Sequence, residues 1–245
     1  RKMRLSEAFR KLYLKEDGSF YRFGEIQKNQ EIADLLENIA EQGVDYFYKG
    51  KVAKQIVDLI NDRGGCFDVS DMESYEPKFR EPVKTTYRGY EVAAFAPPSG
   101  GCALVEMLNI LENYDVRSMG HNTAASIHAL TESMKLGFAD RSVALGDPDF
   151  VNVDVERLTS KKFAHERFTL AGEKAGEFAS ADGIEAKQYP GNTSHFVVMD
   201  KDGNAFSQTQ TIRDWFGCGI VVDGLGFVLN NAMSDFSAAV GAMTS

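Results

Sequence analysis

The sequence predicts an α+β or layered α/β/α fold, and three observations support this prediction. Apolar residues recur at helical spacing through most of the first two-thirds of the 245-residue chain. Residues 151–191 are polar, rich in Lys and Glu and weakly periodic, which is typical of an exposed linker. Beyond this linker apolar and polar residues alternate, as they do in β-hairpins. Helices before a linker and hairpins after it favour this class of fold.

Glycine, proline and capping residues mark the ends of the predicted helices. Gly43 ends one helical pattern, Gly64 ends the next, and Ser70 is expected to cap a short helix in a capping box. Pro148, in a Gly-Asp-Pro sequence, ends the longest helical pattern. The predicted helices cover residues 32–39, 52–60, 70–73, 103–112 and 123–145, and a single strand is predicted over residues 87–95.

Two hairpins are predicted after the linker. The first has strands at 195–199 and 205–212 around a turn at 200–204, and the second turns at residues 223–226. If the first turn is placed correctly, antiparallel partners have residue numbers that sum to about 404. Thr193 then lies opposite Thr211, to within one residue.

Composition excludes several classes of function. A net charge of −9 argues against a nucleic-acid partner. The three cysteines lack the CxxC spacing of a zinc site or a disulfide framework, and the four histidines form no HxH or HxxxH pair. We therefore expect no metal and no cofactor. No apolar run approaches the ~20 residues of a membrane span, and no signal-peptide pattern is present, although a leader removed before Arg1 would leave none.

Three short motifs have structural interpretations that compete with functional ones. "DKDGN" places its Gly fourth, whereas a calcium-binding EF-hand needs Gly at the sixth position, so a hairpin turn is favoured. "PPSGG" could present backbone N–H groups to an anion, but a tight turn is the simpler interpretation. Ser194 and His195 are neighbours on a strand, so their side chains point to opposite faces and form no catalytic dyad.

The pair of threonines suggests chemistry. Two hydroxyls at a strand terminus directly after a linker suit a nucleophile that is released by cleavage between Asn192 and Thr193. The freed α-amino group of Thr193, with a pKa of about 7.7–8.0, would then act as the base for its own hydroxyl. An ordinary Thr–Thr cross-strand pair is the alternative that spacing leaves open. The glycosylation pattern at Asn192 is expected to be coincidental, since a glycan there would block the cleavage.

Many motifs of the chain resemble those of the γ-glutamyltranspeptidases, which are N-terminal-nucleophile hydrolases. "TSHFVVMDKDGNAFSQTQTI" and "FGCGIVVDGLGFVLNNAMSDFS" resemble the start of the family's small subunit. The large subunit is represented by "GVDYFYKGKVAKQIV", "YRGYEV", "PPSGG", "MLNILE" and "FADRSVALGDPDFV". The resemblance covers essentially the whole chain, with the motifs in the family's order.

The resemblance implies a four-layer αββα sandwich and self-cleavage between Asn192 and Thr193. Residues 1–192, ending in a linker at 151–192, would belong to the large subunit and residues 193–245 to the small one, together forming one domain and, after cleavage, a heterodimer. Thr193 would carry the acyl group as an ester and Thr211 would orient it, while Asp235 would hold the α-amino group of a γ-glutamyl substrate. Water, an amino acid or a peptide would accept the acyl group. Family members are secreted or periplasmic by default, but this chain leaves the compartment open.

Two departures from the family pattern predict a shifted acyl preference. Arg213 stands where transpeptidases usually carry Asn, and Ala232 stands where they carry Gln or Glu. Both changes should weaken binding of an ammonium, and Arg213 should favour a carboxylate or pair with Asp235. A glutaryl or cephalosporin acylase, a poly-γ-glutamate depolymerase and an uncleaved, non-catalytic homologue are the alternatives.

The resemblance also implies that parts of the family's site lie outside this chain. In the family, an Arg that binds the substrate carboxylate lies upstream of the position of Arg1. A Gly-Gly oxyanion hole lies downstream of the position of Ser245. We therefore expect the sequence to represent part of a longer protein, incomplete at both ends, or to be inactive alone.

Overall fold

Helices and hairpins follow one another in the computed structural model much as the sequence predicts. The structure describes residues 6–178 and 193–236. In chain order its elements are α1 (Glu7–Tyr13), α2 (Gln30–Gln42), α3 (Asp45–Tyr48), α4 (Gly50–Asp62), α5 (Val69–Glu73), β1 (Val83–Tyr87), β2 (Tyr90–Ala94), α6 (Gly101–Leu111), α7 (Ala124–Ala144), α8 (Val155–Thr159), α9 (Lys161–Phe168), β3 (Ser194–Met199), β4 (Ala205–Gln210), β5 (Val221–Val222) and β6 (Phe227–Val228).

The described residues divide into two compact units. One comprises residues 6–77 with 193–233, and the other residues 78–178 with 234–236. The proposed subunit boundary after Asn192, and the assignment of both segments to one domain, stay predictions.

The core of the first unit lies between α2, α4 and the β5–β6 hairpin. Apolar residues three and four apart on α4 form its buried face, as helical periodicity predicts. The buried members of this core are Leu35, Val52, Ala53, Ile56, Val57, Met72, Val222 and Leu225.

Asn29 connects the β5–β6 turn to α2. Its Oδ1 accepts the Ile32 N–H at 3.1 Å and caps the helix, while its Nδ2 donates to the Gly226 carbonyl at 2.6 Å. Gly226 has φ +70°, and a Cβ there would come within 2.4 Å of Asn29 Oδ1. Only glycine fits this turn without displacing the cap of α2.

Two helices of this unit lie where the sequence predicts them, and a third is capped differently. α2 ends at Gly43, as expected, and α4 covers the pattern that Gly64 follows. α5, however, is capped by Asp68, whose side chain accepts the Ser70 N–H at 2.9 Å while Asp71 accepts the Asp68 N–H at 2.8 Å. The capping box therefore begins two residues before the predicted cap at Ser70, because aspartate serves this position as well as serine does.

The second unit packs α6 against α7, α9 and the β1–β2 hairpin. Its largest apolar cluster is formed by Val83, Cys102, Ala103, Val105, Leu145, Leu158 and Phe163. Asn109 is 1% exposed and satisfies its amide internally. Its Oδ1 accepts the Thr85 hydroxyl at 2.9 Å and its Nδ2 donates to the Thr159 carbonyl at 2.8 Å, so one residue connects β1, α6 and α8.

The strand predicted over residues 87–95 is present as β2, but its predicted start is wrong. Residues 88 and 89 form the turn of a hairpin, in which β1 precedes the turn and β2 follows it. Both residues have positive φ, 51° and 86°, as in the two-residue turns that suit the twist of antiparallel strands. The sequence "YRGY" contains this turn signal, but an Arg at its first position is unusual.

The first part of the predicted linker contains two helices. α8 and α9 occupy residues 155–168, and Leu158, Phe163 and Ala164 are buried in the second unit. Gly176 is held as well, because its N–H donates to Glu132 Oε2 at 2.9 Å. Two helices of five and eight residues with few apolar positions give too weak a period to be recognised in the sequence. Residues 179–192 lie outside the described part.

The "PPSGG" segment forms the tight turn that enters α6. A Cβ on Gly101 would lie 1.9 Å from the Phe95 carbonyl oxygen, so this glycine is required by close backbone packing. The structural interpretation of the motif is sufficient, and no anion site is needed to explain its composition.

The four-layer sandwich stays a prediction. In the described part of the chain the strands form three separate two-stranded sheets, β1–β2, β3–β4 and β5–β6. All six residues of β3 are exposed. The mixture of helix and strand agrees with the α+β class. Among the described residues no helix combines the length and apolar character that a bilayer crossing requires.

Glu106 is a buried carboxyl group in the second unit. It is 1% exposed on α6, and its Oε1 accepts no hydrogen bond from a described residue. Asp140 of α7 and Arg167 of α9 face it, and these two form an ion pair at 2.6 Å between Oδ2 and Nε. Burial, followed by the hydrogen bond and the negative charge of Asp140, raises the pKa of Glu106 well above its ordinary range, and the charge of Arg167 offsets only part of this rise.

The pKa of Glu132, on α7, is shifted in the opposite direction. Burial, the largest single effect, raises its pKa, but the hydrogen bonds from Lys135 Nζ and the Gly176 N–H and the electrostatic interactions with Lys135 and His128 together lower it by more, so the net shift is downward. Glu106 therefore binds a proton on folding at neutral pH, whereas Glu132 is more acidic in the folded state than in the unfolded one.

We expect opposite effects from neutralising these two glutamates. The stability that depends on protonated Glu106 is complete below the unfolded pKa of about 4.3 and is lost as pH rises above it. Glu106→Gln should therefore increase the free energy of unfolding at about pH 8 and weaken its decline between about pH 5 and 8. Glu132→Gln, the matched control, should decrease the free energy of unfolding at the same pH. Urea titrations at several pH values check this, and a destabilised Glu106→Gln protein at about pH 8 would contradict it.

Candidate active site

The turn between β3 and β4 fixes the geometry of the candidate site. Asp200 Oδ1 accepts the N–H groups of Asp202 and Asn204, each at 2.9 Å, and its Oδ2 accepts the Asn204 side-chain amide at 2.8 Å. The hydrogen bond from the Asn204 side chain, followed by that from its backbone, lowers the pKa of Asp200. Gly203 supplies the positive φ, 85°, that the turn requires. "DKDGN" is thus a hairpin turn, as predicted.

The register that follows from this turn is the predicted one. Ser194 pairs with Gln210 and His195 with Thr209, so that partner numbers sum to 404. The next pair is Thr193 and Thr211, whose Oγ1 atoms lie 3.2 Å apart. Both threonines are exposed. The structure therefore brings together the two hydroxyls that sequence analysis singled out.

The backbone of Arg213 binds the second of these threonines. Its N–H donates to Thr211 Oγ1 at 2.8 Å. To do so Arg213 adopts φ +75°, in the left-handed region that residues other than glycine seldom occupy. Thr211 Oγ1 thus receives a fixed backbone donor on one side and faces the Thr193 hydroxyl on another.

The side chain of Arg213 forms an ion pair with its neighbour Asp214. Nη1 of Arg213 lies 2.7 Å from Oδ1 of Asp214, and the two side chains are only 17% and 25% exposed. Asn231 completes the group, since its Nδ2 donates to Asp214 Oδ2 at 2.9 Å and its Oδ1 accepts the Asp214 N–H at 3.1 Å. The sequence predicts no role for Asp214 or Asn231. Asp214 directly follows Arg213, but Asn231 lies 17 residues further along the chain.

The residues after Asp214 are anchored by aromatic packing. Phe216, with φ +60°, contacts Phe9 and Tyr13 of α1 at ring-centroid distances of 5.3 and 4.9 Å, both edge to face. Phe9 is fully buried. The loop that leaves β4 is therefore held at both ends, by hydrogen bonds at Asp214 and by ring contacts at Phe216.

A row of polar side chains continues from Thr193 along the hairpin. His195 shares the face of Thr193, and its Nδ1 lies 2.7 Å from Thr209 Oγ1 while its Nε2 lies 3.2 Å from Ser207 Oγ. Because alternate residues of a strand share a face, Ser194 lies on the other one, as expected. The predicted register also places His195 opposite Thr209, so this contact was predictable from the sequence.

Asp235 and Asn192 are the remaining predicted site residues. Asp235 lies at the end of a short 3-10 helix, Ala232–Asp235, that begins directly after Asn231. Its proposed contact with the substrate stays a prediction. Asn192, the other side of the proposed cleavage site, lies outside the described residues.

Comparison with known proteins shows which family this chain resembles. The gamma-glutamyltranspeptidase family model matches residues 1–244. The glutathione hydrolase proenzyme of Escherichia coli is 40% identical over 232 residues, which are 92% of this chain and 40% of that protein. The acylase ACY 1 proenzyme of Pseudomonas sp. strain SE83 is 39% identical over 214 residues, 87% of this chain and 38% of that protein.

Solved structures agree with the sequence comparison. The cephalosporin acylase from Bacillus halodurans superposes with a TM-score of 0.78 and 32% identity, covering 92% of this chain and 40% of that one. The gamma-glutamyltranspeptidase of Helicobacter pylori gives a TM-score of 0.66 and 33% identity over 74% of this chain and 51% of that one. The chain spans about two-fifths of the length of the curated relatives it matches. It belongs to the gamma-glutamyltranspeptidase family.

Proposed function

We propose that this chain is the part of a gamma-glutamyltranspeptidase-like acyltransferase or amide hydrolase that contains the cleavage site and the nucleophile, Thr193. The contact of 3.2 Å between the Oγ1 atoms of Thr193 and Thr211 carries the proposal, because it places a second hydroxyl beside the proposed nucleophile. Two of the relatives support it too, since the Escherichia coli glutathione hydrolase and the Pseudomonas acylase are called proenzymes, a name that implies cleavage before activity.

The first reaction is self-cleavage. Thr193 Oγ1 attacks the carbonyl carbon of Asn192, the peptide C–N bond breaks, and the hydroxyl proton moves to the departing Thr193 nitrogen. The resulting ester joins the acyl group of Asn192 to Thr193 Oγ1. Water then adds to the ester and the C–O bond breaks, which leaves a carboxylate on Asn192 and a free α-amino group on Thr193.

The second reaction repeats this chemistry on the substrate. The α-amino group of Thr193 takes the proton from its own hydroxyl, whose oxygen attacks the carbonyl carbon of an acyl amide. The amide C–N bond then breaks, the α-ammonium returns the proton to the leaving nitrogen, and the amine is released from an acyl ester on Thr193. Thr211 holds the nucleophile in place through its Oγ1. Water or the amine of an amino acid or peptide then resolves the acyl ester. The two segments, 1–192 and 193–245, would stay together as a heterodimer.

The acyl preference is proposed to differ from that of a transpeptidase. In this proposal Asp235 binds the α-amino group of a γ-glutamyl donor, while Arg213 and Ala232 replace neutral or acidic acceptors that would assist it. The cationic guanidinium disfavours an ammonium and favours a carboxylate. A glutaryl or cephalosporin acylase-like amidase is therefore the second candidate, and the acylases among the relatives support it.

Self-cleavage is tested by replacing the nucleophile. We expect the full-length protein to give two fragments on a denaturing gel, the smaller one beginning at Thr193. Thr193→Ala should give one uncut band and at least a 1000-fold loss of amidase activity, on the order found when a catalytic nucleophile is removed. Thr209→Ala, which removes a hydroxyl from the same face of the hairpin, is the control and should still be cleaved. A wild-type protein that stays uncut would support the non-catalytic homologue and contradict the proposal.

The acyl preference is tested with two donors. We expect kcat/KM for a glutaryl amide to exceed that for glutathione by about 10-fold or more, since one charge-assisted contact distinguishes them. Arg213→Asn should shift this ratio toward glutathione by about 10-fold. The control, Arg22→Asn, changes an exposed arginine outside the site and should leave the ratio unaltered. Efficient glutathione turnover that Arg213→Asn does not improve would contradict the predicted preference.

A further inference from the structure

A continuous line of contacts leads from Asn231 to the proposed nucleophile. Asn231 binds Asp214 through two hydrogen bonds, Asp214 binds the guanidinium of Arg213, and the backbone of Arg213 binds Thr211 Oγ1. Thr211 Oγ1 in turn lies 3.2 Å from Thr193 Oγ1. Each link is 3.2 Å or shorter, and all five residues lie in the first unit.

The weakest link is the backbone of Arg213. With φ +75° it occupies a conformation that an L-residue with a Cβ adopts only when its surroundings impose it. Rotation about the N–Cα bond of Arg213 normally moves the chain that follows and leaves the N–H in place. Because Asp214 is held on Asn231, however, a change of Arg213 to a negative φ would have to turn the preceding peptide and carry this N–H away from Thr211 Oγ1. The hydrogen bond that orients Thr211 therefore depends on whatever holds Arg213 in the left-handed conformation.

Asp214 is the residue placed to do so. Its Oδ1 lies 2.7 Å from Arg213 Nη1, so that the side chain of Arg213 is held back toward the residue that follows it. Its Oδ2 and its backbone N–H bind the amide of Asn231 reciprocally, at 2.9 and 3.1 Å. Since the two charged side chains are at least three-quarters buried, this ion pair is less screened by solvent than one on an open surface.

We propose that Asp214 is a positioning residue for the reaction of Thr193. By anchoring Arg213 to Asn231, its carboxylate keeps the Arg213 N–H on Thr211 Oγ1, and Thr211 in turn holds the nucleophilic hydroxyl. Asp214 acts through the backbone of Arg213 and does not touch the reacting atoms. This inference rests on the proposed function of Thr193, which the experiment therefore establishes first.

The experiment begins with the cleaved, full-length protein and a glutaryl amide with a chromogenic leaving group. A burst of released amine in the wild type, absent from Thr193→Ala, shows that an acyl-enzyme forms. Failure of this step would contradict the proposed function itself and not the role of Asp214 alone. With the burst established, the variants of Asp214 and Arg213 test only the positioning.

Asp214→Ala should lower the acylation rate constant, measured as the rate of the burst, by about 10- to 100-fold, the loss typical of a misplaced catalytic group. Asp214→Asn, which keeps an oxygen for Asn231 but loses the charge that binds Arg213, should recover part of this rate constant. The control is Asp202→Asn in the exposed turn, which should match the wild type.

Arg213→Gly and Arg213→Ala provide an independent test of the backbone. Both lack the guanidinium and lose the same side-chain contacts, but glycine adopts φ +75° without strain whereas alanine does not. We expect Arg213→Gly to retain an acylation rate constant at least about 5-fold above that of Arg213→Ala, a ratio that a role confined to the side chain would not produce.

Two results would overturn the proposal. One is an acylation rate constant for Asp214→Ala within 2-fold of the wild type. The other is an equal acylation rate constant for Arg213→Gly and Arg213→Ala, and this second comparison decides the matter if Asp214→Ala does not fold or is not cleaved. Far-ultraviolet circular dichroism of each variant identifies such a failure.

Discussion

The register of the β3–β4 hairpin is the constraint on which the candidate site depends. Side chains alternate between the faces of a strand, so a slip of one residue would turn Thr193 and Thr211 to opposite faces. The carboxylate of Asp200 prevents this by binding the backbone N–H groups of Asp202 and Asn204 within the turn. A local turn thus determines which hydroxyl faces Thr193, although Thr193 lies seven residues before the start of that turn at Asp200.

The hairpin places the two threonines, and the loop after it orients them. This loop contains two non-glycine residues with positive φ, Arg213 and Phe216, a conformation whose cost is of the order of 1–3 kcal/mol for each residue. Such strain persists only where surrounding contacts impose it, and here those contacts come from Asn231 on one side and from α1 on the other. Strained backbone beside a pair of exposed hydroxyls is typical of functional sites.

Short sequence patterns were sufficient to predict the strands and the turn that carry the candidate site. The turn at residues 200–204 and the alternation around it predict the register, and the register predicts the Thr193–Thr211 contact that the structure contains. The helices α2, α4 and α7 were predictable for a similar reason, because each has a clear apolar or capping pattern.

Features that depend on distant residues were not predictable. α8 and α9 have few apolar positions, and their buried side chains pack against helices far away in the sequence. The Arg88–Gly89 turn lies between two tyrosines, which are as typical of the interior of one strand as of the ends of two. Asp214 and Asn231 meet only because the β5–β6 hairpin returns the chain to the end of β4. The positive charge of Arg213 predicts that it binds a carboxylate, and the structure identifies Asp214 as one that it binds.

The central claim, that Thr193 carries the acyl group, is tested most directly by locating the acyl group on the protein. The full-length, cleaved protein is mixed with a glutaryl amide, quenched in acid within milliseconds, digested and mapped by mass spectrometry. The account predicts a mass increase of one glutaryl group on the peptide that begins with Thr193, and none on the peptide that contains Thr211. An acyl group found on Thr211 or on another side chain, with Thr193 unmodified, would contradict it.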